Sequence, residues 1–303
     1  IAPLAYEVNP NLVVGGSLDF VWAMMDLKMA LPGFYFATAE NGGLVTDKQG
    51  AYAGIPDTGL AGSGRIDFSD SNDYTGKAKA TGWAGKLGFT YKLSPTMTLG
   101  GTYHSKTALG DLKTGANGAT FYGDMNGDGS YSTNPMDGEM APGKVTVHNF
   151  EWPETYGLGL AIQATPDILV AMDYKRIGWS DVMKNFSMTF SNGYGSADFT
   201  MPQNWDDQDV FLIGVAYKAT PALTLRVGAN VSSNPIPDSY LNYLFPAIVE
   251  DHYTVGFGYA FNPSSSVDFS LQYAPKVTAT NPGMPSMMIP AVAVDHGQTS
   301  WQL

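Results

Sequence analysis

The stretch "LTLRVGANVS", residues 223–232, alternates with little interruption. Leu223, Leu225, Val227, Ala229 and Val231 are apolar, whereas Thr224, Arg226, Gly228, Asn230 and Ser232 are polar or tiny. A period of two describes a strand with one oily face and one wet face. The fold turns on where the water is: outside, as in a soluble sandwich, or inside, as in a membrane barrel.

The same alternation recurs along the chain. One face reads Leu87, Phe89, Tyr91, Leu93, then Tyr156, Leu158, Leu160, Ile162, then Phe211, Ile213, Val215, Tyr217, then Tyr253, Val255, Phe257, Tyr259, and then Val267, Phe269, Leu271, Tyr273. The opposite face carries Gly88, Thr90, Gly157, Gly159, Gly214, Gly256, Asp268 and Gln272. A soluble core puts its large residues on the buried face and its charge outside. Here the bulky face is continuous and the other is polar or small, which places the water inside. In lipid every backbone N–H and C=O needs a partner, so such strands must close into a barrel.

Connection lengths agree. "VNPNL" (8–12), "LSPTM" (93–97), "ATPDI" (164–168), "ATPAL" (219–223) and "FNPSSSV" (261–267) are tight turns between alternating segments. They predict hairpins of 1–8 with 12–29, 79–93 with 97–113, 145–164 with 167–189, 208–219 with 222–233, and 251–262 with 266–279. An eleventh strand is expected near 296–303. The intervening links are long and rich in Gly, Asn, Asp, Ser and Pro. Short turns at one end and long loops at the other are the outer-membrane barrel pattern, and Tyr91, Tyr217 and Tyr259 fall where an aromatic girdle at the periplasmic interface belongs. The fold class predicted is therefore an all-β, antiparallel transmembrane β-barrel, one domain over 1–303. Eleven strands do not make an even-numbered barrel. With Ile1 already in a strand-like pattern and no charged leader region, the expectation is a truncated sequence whose missing strands lie mostly before it.

Composition narrows the functions. The 303 residues include 35 Gly, no Cys, and a formal net charge of -12. Thiol chemistry, disulfides and Cys-based metal sites are excluded. The acidic balance and the lack of a Lys/Arg cluster argue against nucleic acid. No run of about 18 apolar residues is present, so a helical membrane span is excluded.

"PLAYEVNPNLVVGGSLDFVWAMMDL", "GWAGKLGFTYKLSPTMTLGGTYHSKTALGDLKTG", "FEWPETYGLGLAIQATPDILVAMDYKRIGWSDV" and "LTLRVGANVSSNPIPDSYLN" together resemble the FadL-type outer-membrane transporters, the long-chain fatty-acid and TodX-like hydrocarbon channels. The resemblance runs through most of the chain in the same hairpin order. It implies a 14-strand barrel with an N-terminal hatch, of which about eleven strands, the fourth to fourteenth, are covered here. It also implies capture of hydrophobic molecules between the third and fourth extracellular loops, which match residues 30–78 and 114–144 by position. In the first, "LPGFYF" supplies Leu31, Phe34, Tyr35 and Phe36, an oily patch expected to bind substrate; the alternative is loop packed against loop. With no basic clamp beside it, neutral hydrophobes are favoured over carboxylates, although Arg65 and Lys77 leave the second open.

The sharpest local motif is "DMNGDGSYS" (124–132). Asp124, Asn126, Asp128 and Ser130 have the alternating oxygen spacing of a Ca²⁺ loop, with Asp137 a further candidate ligand. An ordinary Asx/Gly turn is the alternative. "DFSDSNDY" (67–74) is a looser acidic cluster. His104, His148, His252 and His296 are scattered, and neither a nucleophile elbow nor a phosphate loop is present, so no enzyme is expected. His104 beside Ser105 reads as a lumenal polar residue. Asp19, Lys92, Asp173, Lys175, Arg226 and Asp268 read as inward charges, the inward glycines as room for a plug or ligand or as curvature relief, and "WPE" (152–154) as a strand break.

The function expected is passive uptake of hydrophobic small molecules, fatty acids or hydrocarbons, without nucleotide or required cofactor. The alternatives are a general or ion-conducting porin, and a structural or adhesive barrel with Ca²⁺-binding loops. Expected partners are membrane lipid, lipopolysaccharide and the substrate, with the protein a monomer in the outer membrane of a Gram-negative bacterium.

Overall fold

The computed structural model describes residues 2–132, 140–242, 244–283 and 291–303. Its strands, numbered β1 to β20 along the chain, form a wall and a cap. The wall comprises β1 (Ala2–Asn9), β2 (Leu12–Met25), β6 (Ala78–Ser94), β7 (Met97–His104), β12 (Thr155–Thr165), β13 (Ile168–Ile177), β16 (Gln208–Lys218), β17 (Leu223–Ser232), β18 (His252–Asn262), β19 (Ser265–Asn281) and β20 (Val292–Gln302). Each pairs antiparallel with the next, so the eleven strands read from the sequence are the eleven of the wall. Among the described residues, β1 pairs only with β2 and β20 only with β19.

Register settles the opening question. Leu225 lies between Tyr217 and Phe257, and Val227 between Val215 and Val255. Arg226 lies between Ala216 and Gly256, and Gly228 between Gly214 and Thr254. Paired residues share a face, so the bulky residues of five successive hairpins form one continuous apolar surface. Val227 is 57% exposed and Phe211 60%, which only a lipid environment makes favourable.

Each short turn is clasped in the same way. The residue before the proline is Asn9, Ser94, Thr165, Thr220 or Asn262, and its side-chain oxygen accepts the N–H two residues on. The distances are 2.9 Å from Asn11, 3.2 Å from Thr96, 3.3 Å from Asp167, 3.2 Å from Ala222 and 2.9 Å from Ser264. Proline presets φ for the turn while the Asx or Ser/Thr oxygen mimics a backbone acceptor.

The long links are not irregular. They build the cap, an antiparallel sheet of β3 (Lys28–Pro32), β5 (Ser63–Asp67), β10 (Ala119–Gly123), β11 (Met140–His148), β14 (Asn185–Asn192), β15 (Gly195–Pro202) and β4 (Val45–Gly50), in that order. Two short strands, β8 (Ala108–Leu109) and β9 (Leu112–Lys113), join the cap to β6 of the wall. The third predicted hairpin is consequently divided. β11 stops at His148, Asn149 takes a positive φ of 51°, and the chain passes "WPE" before β12 begins. Its partner breaks at the same level, with one helical turn, Trp179–Val182, between β13 and β14.

The cap has its own core. Phe36 meets Phe121 and Phe199 edge-on at 5.6 and 5.8 Å, and Phe121 meets Phe190 at 5.9 Å. Leu31 and Phe36 are 7% and 2% exposed, which corrects the expectation that "LPGFYF" presents four oily side chains to water. Those two side chains face the cap interior because β3 alternates and the following turn folds Phe36 onto β5. Gly64 of β5 makes room: a Cβ there would fall 2.3 Å from the Phe36 ring.

Candidate functional site

Inside the wall, two cavities follow β12, β13 and β16. The upper, about 320 Å³, lies where the cap loops meet the lumen and is lined by Trp179, Trp205, Gln208, Asn230 and His252, among others. The lower, about 420 Å³, runs along small residues, including Thr98, Gly100, Thr102, Gly157, Gly159 and Ala171. Lys175 and Leu212 line both, so the two meet end to end. A larger concavity of about 880 Å³, including Leu4, Tyr6, Leu87, Phe89 and Tyr156, belongs to the bulky outer face, where bilayer acyl chains would fill it.

The roof of the upper cavity is built by loops. Trp205 donates its backbone N–H to Met183 O at 3.1 Å, and Asp206 donates to Pro235 O at 2.8 Å. Trp179 and Trp205 meet edge-on with ring centroids 5.2 Å apart. Val182, Met183, Trp205, Ile236, Leu241 and Ile248 pack into one buried cluster against Val277, Ala279 and Val294 of β19 and β20. His296 Nδ1 donates to Pro246 O at 2.7 Å, because a carbonyl can only accept, and Ser232 Oγ donates to Glu250 O at 2.7 Å. The 234–250 segment is thus pinned across the mouth from both sides.

Charge on the inner face is partly paired. Lys86 holds Asp19 at 2.9 Å, with Ser17 Oγ donating to the same carboxylate at 2.9 Å. Arg226 holds Asp268 at 2.8 Å. Asp173 and Lys175, two residues apart on the same face of β13, form no ion pair with each other or with another described residue.

The residues singled out in the sequence are placed as follows. Phe34 and Tyr35 are half-buried, with ring centroids 4.3 Å apart, while Leu31 and Phe36 are core of the cap. Asp124 is 1% exposed, and its carboxylate accepts backbone N–H groups from Gly127 at 2.7 Å, Asp128 at 3.2 Å and Gly129 at 3.0 Å. Asn126 Oδ1 accepts from Asp128 N, and Asp128 Oδ1 accepts from Ser130 N and Oγ. This is an Asx-type turn in which the chain itself supplies the donors. Asp137 lies outside the described residues. Among the described residues, no group of three or more His, Asp or Glu side chains is placed to hold a metal ion. Ser105 Oγ accepts from Gly85 N at 2.8 Å and donates to Lys106 O at 3.1 Å.

The two tryptophans were missed in the sequence reading. They sit in short linkers, at "GWS" and "NWD", where no periodicity marks a face. Their one signal was a large apolar ring in an otherwise polar connection.

The sequence matches the outer membrane protein transport protein family (OMPP1/FadL/TodX) over residues 2–288. The chain belongs to this family. Among solved structures it is similar to the toluene transporter TodX of P. putida, with 29% identity over 98% of this chain and 66% of that one and a TM-score of 0.75. It is also similar to the toluene transporter TbuX of Ralstonia pickettii, with 30% identity over 91% of this chain and 61% of that one and a TM-score of 0.70. A Pseudomonas aeruginosa FadL homologue shares the fold at 16% identity, covering 99% of this chain and 64% of that one, with a TM-score of 0.65. No curated protein matches the sequence. The chain spans somewhat less than two thirds of the length of these FadL/TodX structures. Membership places the wall in the outer membrane of a Gram-negative bacterium, with its bulky face to lipid.

Proposed function

We propose that the protein carries small hydrophobic molecules, hydrocarbons foremost, passively across the outer membrane. The observation that carries this reading is the pair of cavities joined at Lys175 and Leu212, roofed by Trp179 and Trp205, in a chain of the FadL/TodX family. Two indole rings offer apolar area at the mouth, worth about 25 cal/mol for each Å² that a guest buries. The glycine-lined lower cavity offers little adhesion, so a guest held above is released below without an energy source. TodX and TbuX, named as toluene transporters, support the substrate class.

Phe34 and Tyr35, half-exposed on the cap, are the capture residues of this reading. Membrane lipid and lipopolysaccharide contact the outer face only, and a monomer suffices. The test is uptake of radiolabelled toluene by cells producing the full-length protein, with ion conductance in planar bilayers measured alongside. Saturable uptake without ion conductance supports the proposal; conductance without hydrocarbon uptake favours a porin and overturns it.

A further inference from the structure

The upper cavity has more hydrogen-bonding capacity than a hydrocarbon can use. Three of the residues lining it carry a buried polar atom with no hydrogen-bond partner among the described residues: Trp205 Nε1, Asn230 Oδ1 and His252 Nδ1. Buried polar atoms are almost always paired, and an unpaired one is costly. These three belong to three separate elements, the 203–207 linker, β17 and β18, and converge on one chamber. By contrast, the neighbouring Trp179 Nε1 is satisfied by Gln208 Oε1 at 3.3 Å, and Gln208 Nε2 by Ser233 O at 2.9 Å. The unmet capacity is therefore confined to part of the wall.

Size and chemistry together select a guest. About 320 Å³ is the low end for a small-molecule site and suits a single ring better than a long acyl chain. The edge-to-face indoles of Trp179 and Trp205 present π surface for that ring. An indole N–H only donates, whereas an amide oxygen only accepts. A guest that meets both must donate and accept, as a phenolic hydroxyl does. A carboxylate only accepts: it would suit Trp205 and the unpaired Lys175 at the chamber floor but would oppose Asn230 Oδ1. Toluene would leave all three atoms unmet.

Resting on the transport reading above, we propose that the upper chamber is a binding site for a monoaromatic molecule bearing a hydroxyl group. Its ring lies against Trp179 and Trp205. Its oxygen receives the Trp205 N–H, and its hydrogen is donated to Asn230 or to the unprotonated nitrogen of His252. Because these atoms have almost no exposed surface, the pairing requires their side chains to rotate towards the guest.

Titration calorimetry on the full-length protein in detergent, with protein-free micelles subtracted, tests this with phenol, toluene and benzoate. Phenol is expected to bind up to about tenfold more tightly than toluene, the worth of one or two net hydrogen bonds. Trp205→Phe keeps an aromatic face and removes the donor, so it should lower phenol affinity more than toluene affinity and narrow the difference between them, while an undiminished preference for phenol would count against the Trp205 N–H. Asn230→Leu provides a second variant should the first fail to show the heat-modifiable gel migration of a folded barrel. Equal wild-type affinities for phenol and toluene overturn the inference, and so does tighter binding of benzoate. If phenol shows no preference while toluene uptake by cells persists, only this inference fails; if toluene uptake is also absent, the transport reading fails with it.

Discussion

Arg226 on β17 and Asp268 on β19 meet at 2.8 Å across the strand between them, over Gly258 of β18. A Cβ at Gly258 would lie 2.5 Å from Asp268 Oδ1 and 3.0 Å from Arg226 Nη1. The glycine is the gap through which the two side chains reach each other. Both are at least half exposed, so the pair contributes no more than about 1 kcal/mol. Gly258→Ala should remove that contribution by displacing the carboxylate. In a background of Asp268→Ala the same change should cost nothing further, because the atom it displaces is gone. A double-mutant cycle in urea unfolding, read by gel mobility, checks this; additive losses would mean that Gly258 serves the backbone instead.

Within "LPGFYF" the four apolar residues divide into two roles. Phe36→Ala should destabilise the cap by about 3–5 kcal/mol, as expected for a large buried aromatic. Phe34→Ala should leave cap stability within about 1 kcal/mol of wild type and lower the initial rate of toluene uptake. Limited proteolysis of intact cells reports the first and labelled toluene the second. Equal proteolytic sensitivity of the two variants would contradict this division.

The wall was legible in the sequence because lipid imposes a strict rule. Outward positions that meet lipid must be apolar, as they are along Leu87–Leu93, Phe211–Tyr217 and Tyr253–Phe261, and charge returns to that face only towards the strand ends, at Arg176 and Asp209. The cap was not legible, because β3, β5 and β10 are each only five residues long and pair with strands distant in sequence. Their Gly, Asp and Ser content reads as loop, yet Gly64 and Gly143 are there to admit Phe36 and Phe190. The chamber at Trp179 and Trp205 depends on loops folding back over the mouth, and no local spacing encodes that return. "DMNGDGSYS" was legible as a motif but ambiguous as chemistry, since alternating oxygens serve an ion and a backbone turn equally well.

Asp124 decides between those uses. Its carboxylate receives three backbone N–H groups and lies against Gly62, where a Cβ would fall 1.8 Å from Oδ2. Asp124→Ala removes the acceptor of the Gly127 and Gly129 N–H groups and should cost about 1–3 kcal/mol, the worth of hydrogen bonds to a charged carboxylate. The loss should be the same in 5 mM Ca²⁺ as in EGTA, on the order of the weak extracellular Ca²⁺ range. Differential scanning fluorimetry of the cap transition gives the comparison. A Ca²⁺-dependent rise in wild-type stability that the variant lacks would make the loop an ion site.

Asp26, at the end of β2, ties the 67–77 segment down. Burial pushes its pKa up, but hydrogen bonds from the backbone N–H of Lys77 at 2.6 Å and Asp70 at 2.8 Å, and from Ser69 Oγ at 2.9 Å, outweigh that and hold it below the ordinary carboxylate value. A depressed folded pKa means stability that is present in full above the unfolded value, near 4, and lost as the pH falls through the folded one. The clasp should therefore be intact at neutral pH and weaken below about pH 4. Hydrogen exchange at Asp70 and Lys77, followed by mass spectrometry and corrected for intrinsic pH dependence, should show protection lost in that window. In Asp26→Asn the protection should be low and independent of pH throughout it.

The short turns offer a test of why the wall has the register it has. Thr220 Oγ1 accepts from both Ala222 N at 3.2 Å and Leu223 N at 3.0 Å, and Pro221 fixes the backbone between them. Leu223 begins the β17 alternation, so a slip of one residue here would turn Arg226 towards lipid and Val227 towards water. Thr220→Ala removes the acceptor at a water-exposed site and should cost about 0.5–1 kcal/mol, whereas Thr220→Ser should be near neutral. The more telling readout is register. A cysteine placed at Arg226 should stay accessible to a water-soluble maleimide in wild type and in Thr220→Ser. If Thr220→Ala exposes a cysteine at Val227 to the same reagent, the hydroxyl clasp sets the frame; if only stability falls, the hydrophobic pairing of Leu225 and Val227 with β16 and β18 holds the register alone.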